Sequence, residues 1–323
     1  MMKYSNLLFI GLLFFVMACG ENVENDREEN NAPKIELVVD AKNALGEGAI
    51  WNHKSQTFWW VDIEGQLLQV FNPQDNGTQV YNLGERIGTV VPSHDGHAII
   101  ALQSGVYKFN LATKERNLIV APETDTDNIR LNDGKCDPAG RLWVGSMHLA
   151  QLQDKAALFR IDTDGTSHEM LDSITISNGI VWSTDKKTMY YIDTPDGNVK
   201  AYDYNNETGA IDNQRVVVEV SDTLGFPDGM AIDAEGMLWI ALWNGNCVSR
   251  WDPTTGKLLS TIEMPAHNIT SCAFGGPNLD TLYVTSAKLD MTAEELAKYP
   301  NAGGVFKVVP GVKGVESYFF GEK

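Results

Sequence analysis

Residues 237–241 read MLWIA, and residues 247–251, which follow after a short polar turn, read CVSRW. The first run is almost continuously apolar, as expected for a β-strand that is buried on both faces. The second run alternates more between apolar and polar residues, as expected for a strand that is covered on one face. Similar pairs occur five more times, and their first runs are TFWWVD at 57–62, AIIA at 98–101, RLWVG at 141–145, MYYID at 189–193 and TLYVT at 281–285.

The six pairs recur at a spacing of roughly 40 to 50 residues. Such a period, carried by strands and by turns such as Asp95-Gly96 and Asp164-Gly165, is typical of a β-propeller with one four-stranded sheet per blade. The best helix candidate is residues 292–298, between the two strands of the last pair. We therefore predict an all-β fold, a six-bladed β-propeller. A pair of β-sandwiches is the alternative, and the even spacing disfavours it.

The composition limits the kinds of partner. The chain has 323 residues and a formal net charge of -18, which excludes a nucleic-acid partner because phosphate binding needs a basic face. The same charge favours solubility and the capture of a cation, and we expect a monomer. Cys136, Cys247 and Cys272 have no CxxC partner. We expect each of them to pack as a small apolar residue within a strand rather than to form a disulfide.

The N-terminus has the features of a targeting segment. Lys3 precedes an apolar run at residues 7–17, which is shorter than the ~20 residues needed to span a bilayer. The run ends in VMAC at 16–19, which resembles a bacterial lipobox, so Cys19 is the predicted lipidation site. An ordinary signal peptide is the alternative. We predict a lipoprotein signal peptide at 1–18, a flexible acidic tether at 19–34 and the propeller at 35–323. The expected location is an exported, membrane-anchored lipoprotein, in the periplasm or at the cell surface.

Four polar clusters place oxygen-bearing side chains beside glycines: GEG at 46–48, RLNDGK at 130–135, SNG at 177–179 and PDGM at 227–230. Most of them lie about ten residues upstream of the first apolar run of their repeat, at the position of an innermost strand. Innermost strands converge on the central channel of a propeller, and we expect the loops leading into them to aim these side chains at one axis. Any single cluster, taken alone, is more typical of an ordinary turn. Carboxylate and amide oxygens without Cys or His favour Ca²⁺, Mg²⁺ or Mn²⁺.

The clusters and their surroundings resemble the SMP-30/gluconolactonase/regucalcin family of metal-dependent six-bladed propellers. The resemblance covers approximately residues 36–314 and rests on SNG at 177–179 together with LGEGAIW at 45–51, NDGKCDPAGR at 132–141, PDGMAID at 227–233, TSCAFGG at 270–276 and AGGVFK at 302–307. It implies that Glu47, Asn178 and Asp228 are metal ligands, with Asp228 also the candidate general base. It further implies that Arg130 and Asn132 line the pocket and hold substrate oxygens.

The chain departs from the family pattern at one position. The family pocket can contain a further acidic substrate contact a few residues after the segment 145–147, but here residues 148–151 read HLAQ. His148 is therefore a candidate substrate-binding residue, with a satisfied loop histidine as the alternative. Trp243, which follows the fifth first run, is a candidate for the border of the pocket, with blade packing as the alternative.

The resemblance implies a metal-dependent hydrolase that opens a sugar lactone, a small-molecule substrate, to its aldonic acid. Ca²⁺ is the expected metal, and Zn²⁺, Mn²⁺ and Mg²⁺ are alternatives. The metal would polarise the lactone carbonyl, and water would be activated by a carboxylate or by the metal itself. A carboxylate that binds a cation is a weaker base, so Asp228 needs one free oxygen for this role. The alternatives are a phosphotriesterase-type hydrolase with the same site and a non-catalytic binding propeller with a structural metal.

Overall fold

Six antiparallel sheets of four strands each follow one another along the chain. The computed structural model describes residues 33–321, so the predicted signal peptide, Cys19 and the tether up to residue 32 lie outside the described part. The sheets are arranged as the blades of a β-propeller, which confirms the predicted fold. Among residues 33–321, no helix has the length and apolar character that crossing a membrane requires.

In each blade the strands pair in the order of a meander, and the first strand contacts the first strands of both adjoining blades, so it lies nearest the axis. The strands, in chain order, are β1 (Glu36–Val39), β2 (Gly46–Asn52), β3 (Thr57–Asp62), β4 (Leu67–Asn72), β5 (Gly77–Asn82), β6 (Ile87–Pro92), β7 (Ala98–Leu102), β8 (Gly105–Phe109), β9 (Arg116–Val120), β10 (Ile129–Cys136), β11 (Leu142–His148), β12 (Ala156–Ile161), β13 (Ser167–Ile174), β14 (Ser177–Trp182), β15 (Thr188–Asp193), β16 (Asn198–Tyr204), β17 (Ile211–Glu219), β18 (Phe226–Ile232), β19 (Leu238–Trp243), β20 (Cys247–Asp252), β21 (Lys257–Glu263), β22 (Asn268–Gly275), β23 (Thr281–Ala287) and β24 (Val305–Val308).

The two ends of the described chain close the ring. β1 is the outermost strand of the sixth blade, whose other strands are β22, β23 and β24. It pairs antiparallel with β24, with Glu36 opposite Lys307 and Leu37 opposite Phe306. The predicted helix is present as α1 (Ala293–Lys298), between β23 and β24, and Thr292 caps its N-terminus in a capping box.

The apolar runs that predict the fold are the second strands of the blades, and the polar clusters lie on the first strands. The position of the clusters on innermost strands is therefore confirmed. The expectation that they lie in loops leading into those strands is wrong, because β2, β10, β14 and β18 contain them. Each of these strands has a register irregularity at its cluster, such as that between Glu47 and Ile50. A strand with an irregular register contains the polar and glycine residues that are otherwise typical of a turn. These strands therefore resemble turns in sequence.

Large aromatic side chains fill the blades. Trp60, Trp143 and Trp239 are almost completely buried and pack within the blades. Trp51 is also buried and stacks on Tyr283 with ring centroids 5.6 Å apart. Cys136, Cys247 and Cys272 are free thiols buried on strands, as the sequence predicts.

Two buried aspartates, Asp137 and Asp233, anchor two of these aromatic residues. Asp137 is fully buried and accepts hydrogen bonds from Nε of Arg141 at 2.7 Å, Nε1 of Trp143 at 2.9 Å and the hydroxyl of Tyr204 at 2.7 Å. Because Tyr204 belongs to the next blade, the carboxylate joins two blades as well as ordering its own turn. Asp233 anchors a tryptophan in the same way but within a single blade: it accepts from Nε1 of Trp239 at 2.9 Å and from Nε of Arg250 at 2.8 Å.

We expect Asp137→Ala to lower the free energy of unfolding by about 3–5 kcal/mol, because it leaves a buried arginine and two aromatic donors without their acceptor. Urea denaturation followed by tryptophan fluorescence measures this. Asp164→Ala is the matched control, since Asp164 occupies an exposed Asp-Gly turn and accepts a backbone hydrogen bond from Thr166. Equal effects of the two substitutions would contradict the anchoring role of Asp137.

Candidate metal centre

A cavity of about 340 Å³ opens at the N-terminal ends of the innermost strands. Its wall contains five of the predicted site residues, which come from four different blades: Glu47, Arg130, Asn132, Asn178 and Asp228. The structure therefore brings together side chains that are up to 181 positions apart (228 − 47) in the sequence. Trp243, the last residue of β19, also lines the cavity, in keeping with its candidate place at the pocket border.

Glu47, Asn178 and Asp228 present oxygen atoms that have few protein partners. All three residues are buried, and the carboxyl groups of Glu47 and Asp228 lie within hydrogen-bonding reach of each other. Oδ1 of Asn178 and Oδ1 of Asp228 are buried without a hydrogen-bond donor. Burying such acceptors unpaired is unfavourable. A cation bound among them would remove this penalty, so the donor set fits a hard divalent metal ion.

The electrostatics of the site lead to the same conclusion. Burial, reinforced by the negative charge of Asp133, raises the pKa of Glu47 from 4.5 to about 8. Burial and the nearby Glu47 raise the pKa of Asp228 well above its ordinary value. Buried carboxyl groups this close together resist simultaneous ionisation unless a positive charge lies between them. The candidate ligands are two carboxylates and one amide, and among residues 33–321 no group of three His, Cys, Asp or Glu side chains is gathered for a metal.

Arg130 brings the nearest positive charge to the cavity. Its Nη1 donates to the carbonyl of Leu131 at 3.2 Å and to Oδ1 of Asn132 at 2.5 Å. Burial lowers the pKa of Arg130 to about 10, so the guanidinium stays charged at neutral pH. A guanidinium has five N–H donors, which leaves some for a ligand in the cavity.

Asn132 is engaged at both ends by the protein. Its Oδ1 accepts from Arg130, and its Nδ2 donates to the carbonyl of Ser177 at 2.6 Å. The amide therefore links Arg130 to the residue before Asn178. This arrangement favours a supporting role for Asn132 over the direct substrate contact that the family resemblance implies.

His148 does not lie on the cavity wall, contrary to its candidate role in substrate binding. Met147 and Gln151 line the cavity on either side of it in the sequence. His148 ends β11, and successive side chains of a strand point to opposite faces, so an inward Met147 turns His148 away. Its Nδ1 accepts a hydrogen bond from the N–H of Ala150 at 3.0 Å. This geometry supports the alternative interpretation, in which His148 is a loop histidine with a hydrogen-bond partner in its own loop.

Two aspartates that the sequence reasoning missed hold the backbone just before two of the candidate ligands. Asp62, at the end of β3, accepts from the N–H groups of Ala44 at 3.0 Å and Leu45 at 2.9 Å. Asp193, at the end of β15, accepts in the same way from Thr175 at 3.0 Å and Ile176 at 2.8 Å. In both blades a candidate ligand, Glu47 or Asn178, follows two residues after the second N–H group. The available signal was an aspartate that ends two of the six apolar runs.

A second pattern fixes the peptide before each ligand. In all three ligand-bearing strands, the carbonyl of the residue before the ligand accepts a hydrogen bond from a side chain of the preceding blade. The three bonds run from Oγ1 of Thr270 to Gly46 at 2.5 Å, from Nδ2 of Asn132 to Ser177 at 2.6 Å and from Oγ1 of Thr194 to Pro227 at 2.9 Å. Each strand also shifts register directly after this point. The candidate ligands thus lie where the ladder is interrupted and where the neighbouring blade holds the backbone instead.

The raised pKa of Glu47 predicts how the stability of the cation-free protein depends on pH. The folded state keeps the proton that the unfolded state loses near pH 4.5, so the contribution of Glu47 falls as the pH rises from 4.5 to about 8. Denaturation in the presence of a chelator should show the stability of the wild type falling over this range relative to Glu47→Gln, which cannot ionise. Saturating Ca²⁺ should reverse the trend. A difference between the two proteins that is independent of pH would contradict the charge assignment.

Comparisons with known proteins agree with this architecture. Residues 45–288 match the sequence model of the family described as SMP-30/Gluconolactonase/LRE-like region. Regucalcin from Danio rerio is 41% identical over 290 residues, covering 89% of this chain and 98% of that protein. YvrE of Bacillus subtilis (strain 168), which carries the name of a sugar lactone lactonase, is 36% identical over 270 residues, covering 84% and 92%.

Solved structures show the same similarity. A luciferin-regenerating enzyme superposes with a TM-score of 0.85 at 32% identity, covering 89% of this chain and 99% of that chain. The calcium-binding protein regucalcin from Agrobacterium tumefaciens strain C58 superposes with a TM-score of 0.85 at 27% identity, covering 90% and 97%. With a fold, an order of motifs and a sequence match that agree along most of its length, the chain belongs to the SMP-30/gluconolactonase/LRE-like family.

Proposed function

We propose that this chain is a hydrolase that depends on a divalent metal and opens a sugar lactone to its aldonic acid. The observation that carries the proposal is the convergence of Glu47, Asn178 and Asp228 in one cavity, with buried oxygens that lack donors, beside the guanidinium of Arg130. The lactonase name of YvrE and the calcium-binding description of the Agrobacterium regucalcin support the same chemistry.

Glu47, Asn178 and Asp228 are the proposed metal ligands. Ca²⁺ takes ~6–8 oxygen ligands, so three protein residues leave room for water and substrate. When bound, the cation acts as a Lewis acid toward the lactone carbonyl. Ca²⁺ is the proposed metal because every protein donor is an oxygen, and Zn²⁺, Mn²⁺ and Mg²⁺ are tested beside it.

The charged residues of the cavity have distinct proposed roles. Asp228 accepts the proton of the attacking water through a carboxylate oxygen that is not used for ligation. The water oxygen bonds to the carbonyl carbon, the ring C–O bond breaks, and the proton passes to the ring oxygen, which leaves a hydroxy acid. Arg130 stabilises the negative charge that develops on the carbonyl oxygen during the attack.

The outer part of the cavity is suited to a neutral small molecule. Phe226 and Trp243 provide apolar surface near the opening, and Gln151, Asn244 and Asp290 provide polar groups. Arg130 is the only lysine or arginine among the residues that line this described cavity. The cavity therefore offers hydrogen-bonding partners for hydroxyl groups without the excess positive charge that an anionic substrate would favour.

Asp228→Asn should reduce turnover of aldonolactones by ~10²–10⁴-fold, the usual contribution of a positioned general base. The rate of acid release from a panel of aldonolactones measures this. Asp164→Asn, in an exposed turn, should retain full activity. Turnover by Asp228→Asn at the wild-type rate would refute the catalytic role of this residue.

Removal of divalent metal with a chelator should abolish lactone hydrolysis, because the carbonyl then lacks the Lewis acid that polarises it. Adding back Ca²⁺, Zn²⁺, Mn²⁺ or Mg²⁺ one at a time identifies the metal by recovery of the rate. Hydrolysis that survives chelation, or no hydrolysis of any aldonolactone, would refute the proposed function. Organophosphate triesters assayed in parallel distinguish a phosphotriesterase with the same site, and ligand binding without turnover would indicate a binding propeller.

We also propose that the propeller is tethered to a membrane through a lipid on Cys19, as the VMAC stretch at residues 16–19 indicates. Expressed in a bacterium, the full chain should incorporate radiolabelled palmitate and sediment with membranes. Cys19→Ser should do neither, because it removes the thiol that carries the lipid. Membrane association of Cys19→Ser equal to that of the wild type would contradict the anchor.

A further inference from the structure

We propose that Thr194 is a positioning residue that determines which end of the Asn178 side chain faces the metal. The inference rests on the proposed metal site. Thr194 begins a short 3₁₀ turn, Thr194–Asp196, directly after β15, and it lines the cavity. Its Oγ1 lies 2.9 Å from the carbonyl oxygen of Pro227 and 2.9 Å from Nδ2 of Asn178.

The donors and acceptors of this group allow one arrangement. The carbonyl of Pro227 can only accept, so the single hydrogen of the Thr194 hydroxyl is committed to it. Oγ1 can then only accept from Asn178, which requires the NH₂ end of that amide to face Thr194. The oxygen end therefore faces away from the hydroxyl, and Oδ1 of Asn178 is the buried atom without a donor.

The orientation matters because the two ends of an asparagine amide have nearly the same shape and opposite polarity. With the amide reversed, two N–H donors would point at the cation in place of a lone-pair oxygen. Removing a residue that hydrogen-bonds to a metal ligand and orients it typically lowers metal affinity ~10–100-fold.

Thr194 also reaches the second ligand-bearing strand. Pro227 directly precedes Asp228, and the register of β18 against β19 shifts between Pro227 and Met230. The sheet ladder therefore does not hold this part of the strand regularly. The hydroxyl of Thr194 connects blade 4 to blade 5 at this point, so one side chain fixes both Asn178 and the backbone before Asp228.

Calorimetric titration of CaCl₂ into the chelator-treated full chain tests the proposal. Thr194→Val keeps the shape and removes the hydroxyl, and we expect its dissociation constant for Ca²⁺ to rise ~10–100-fold. Thr194→Ser keeps the hydroxyl and should bind Ca²⁺ close to the wild-type affinity. Thr194→Ala serves as a second deletion of the hydroxyl if Thr194→Val does not fold.

Thr89→Val is the matched control. The buried hydroxyl of Thr89 also donates across blades, to the carbonyl of Gly134 at 2.9 Å, but Thr89 does not line the cavity. We expect this variant to lose stability comparably to Thr194→Val and to keep its Ca²⁺ affinity. Equal losses of affinity in the two variants would show a general effect of weakened blade contacts and would overturn the proposal.

A second background isolates the effect on the amide. In Asn178→Asp both side-chain oxygens are acceptors, so their orientation no longer matters, and adding Thr194→Val should weaken Ca²⁺ binding far less than in the wild type. If Thr194→Val binds Ca²⁺ as the wild type does, the positioning role is refuted and the metal site stands. If the wild type binds no divalent cation at all, the proposed metal centre and the role of Thr194 are refuted together.

Discussion

The site depends on how each ligand-bearing strand is held by the blade before it. A propeller brings innermost strands together, but regular ladders alone would not turn chosen side chains toward the axis. Here the ladder is irregular at Glu47, Asn178 and Asp228, and a side chain of the preceding blade binds the carbonyl just before each of them. The geometry of the cavity therefore depends on contacts between neighbouring blades as well as on the sheet within each blade.

Charge is the second constraint on this cavity. Glu47, Asp133 and Asp228 are buried near one another, and Arg130 brings positive charge to the same cavity. In the absence of a cation, burial holds the pKa values of these carboxyl groups high. The buried acceptors without donors, Oδ1 of Asn178 and Oδ1 of Asp228, are unfavourable for folding and are also the atoms that the proposed cation would bind.

Much of this could be predicted from the sequence, for identifiable reasons. The blades were predictable because burial on both faces produces long apolar runs such as TFWWVD at 57–62, and the ring repeats them. The convergence of Glu47, Asn178 and Asp228 in one cavity was predictable because oxygen-bearing residues beside glycines recur at one position of the repeat. Their placement on strands was not predictable, because a strand with a register shift contains the polar and glycine residues that are typical of a turn.

Other features depend on contacts that a linear pattern does not contain. His148 was misassigned because the direction of a side chain on β11 is decided by the register, which puts Met147 on the cavity side. Asp62 and Asp193 act through backbone N–H groups of distant residues, and Thr194 acts through an amide on another strand. Such roles become visible only when donors and acceptors are paired in space.

The most direct test of the metal centre is a crystal structure of the protein grown with Mn²⁺ and measured at a wavelength where manganese scatters anomalously. The proposed centre predicts one strong anomalous peak within metal-ligand distance of the side-chain oxygens of Glu47, Asn178 and Asp228. A cavity without such a peak, or a peak surrounded by other residues, would contradict the proposed metal centre.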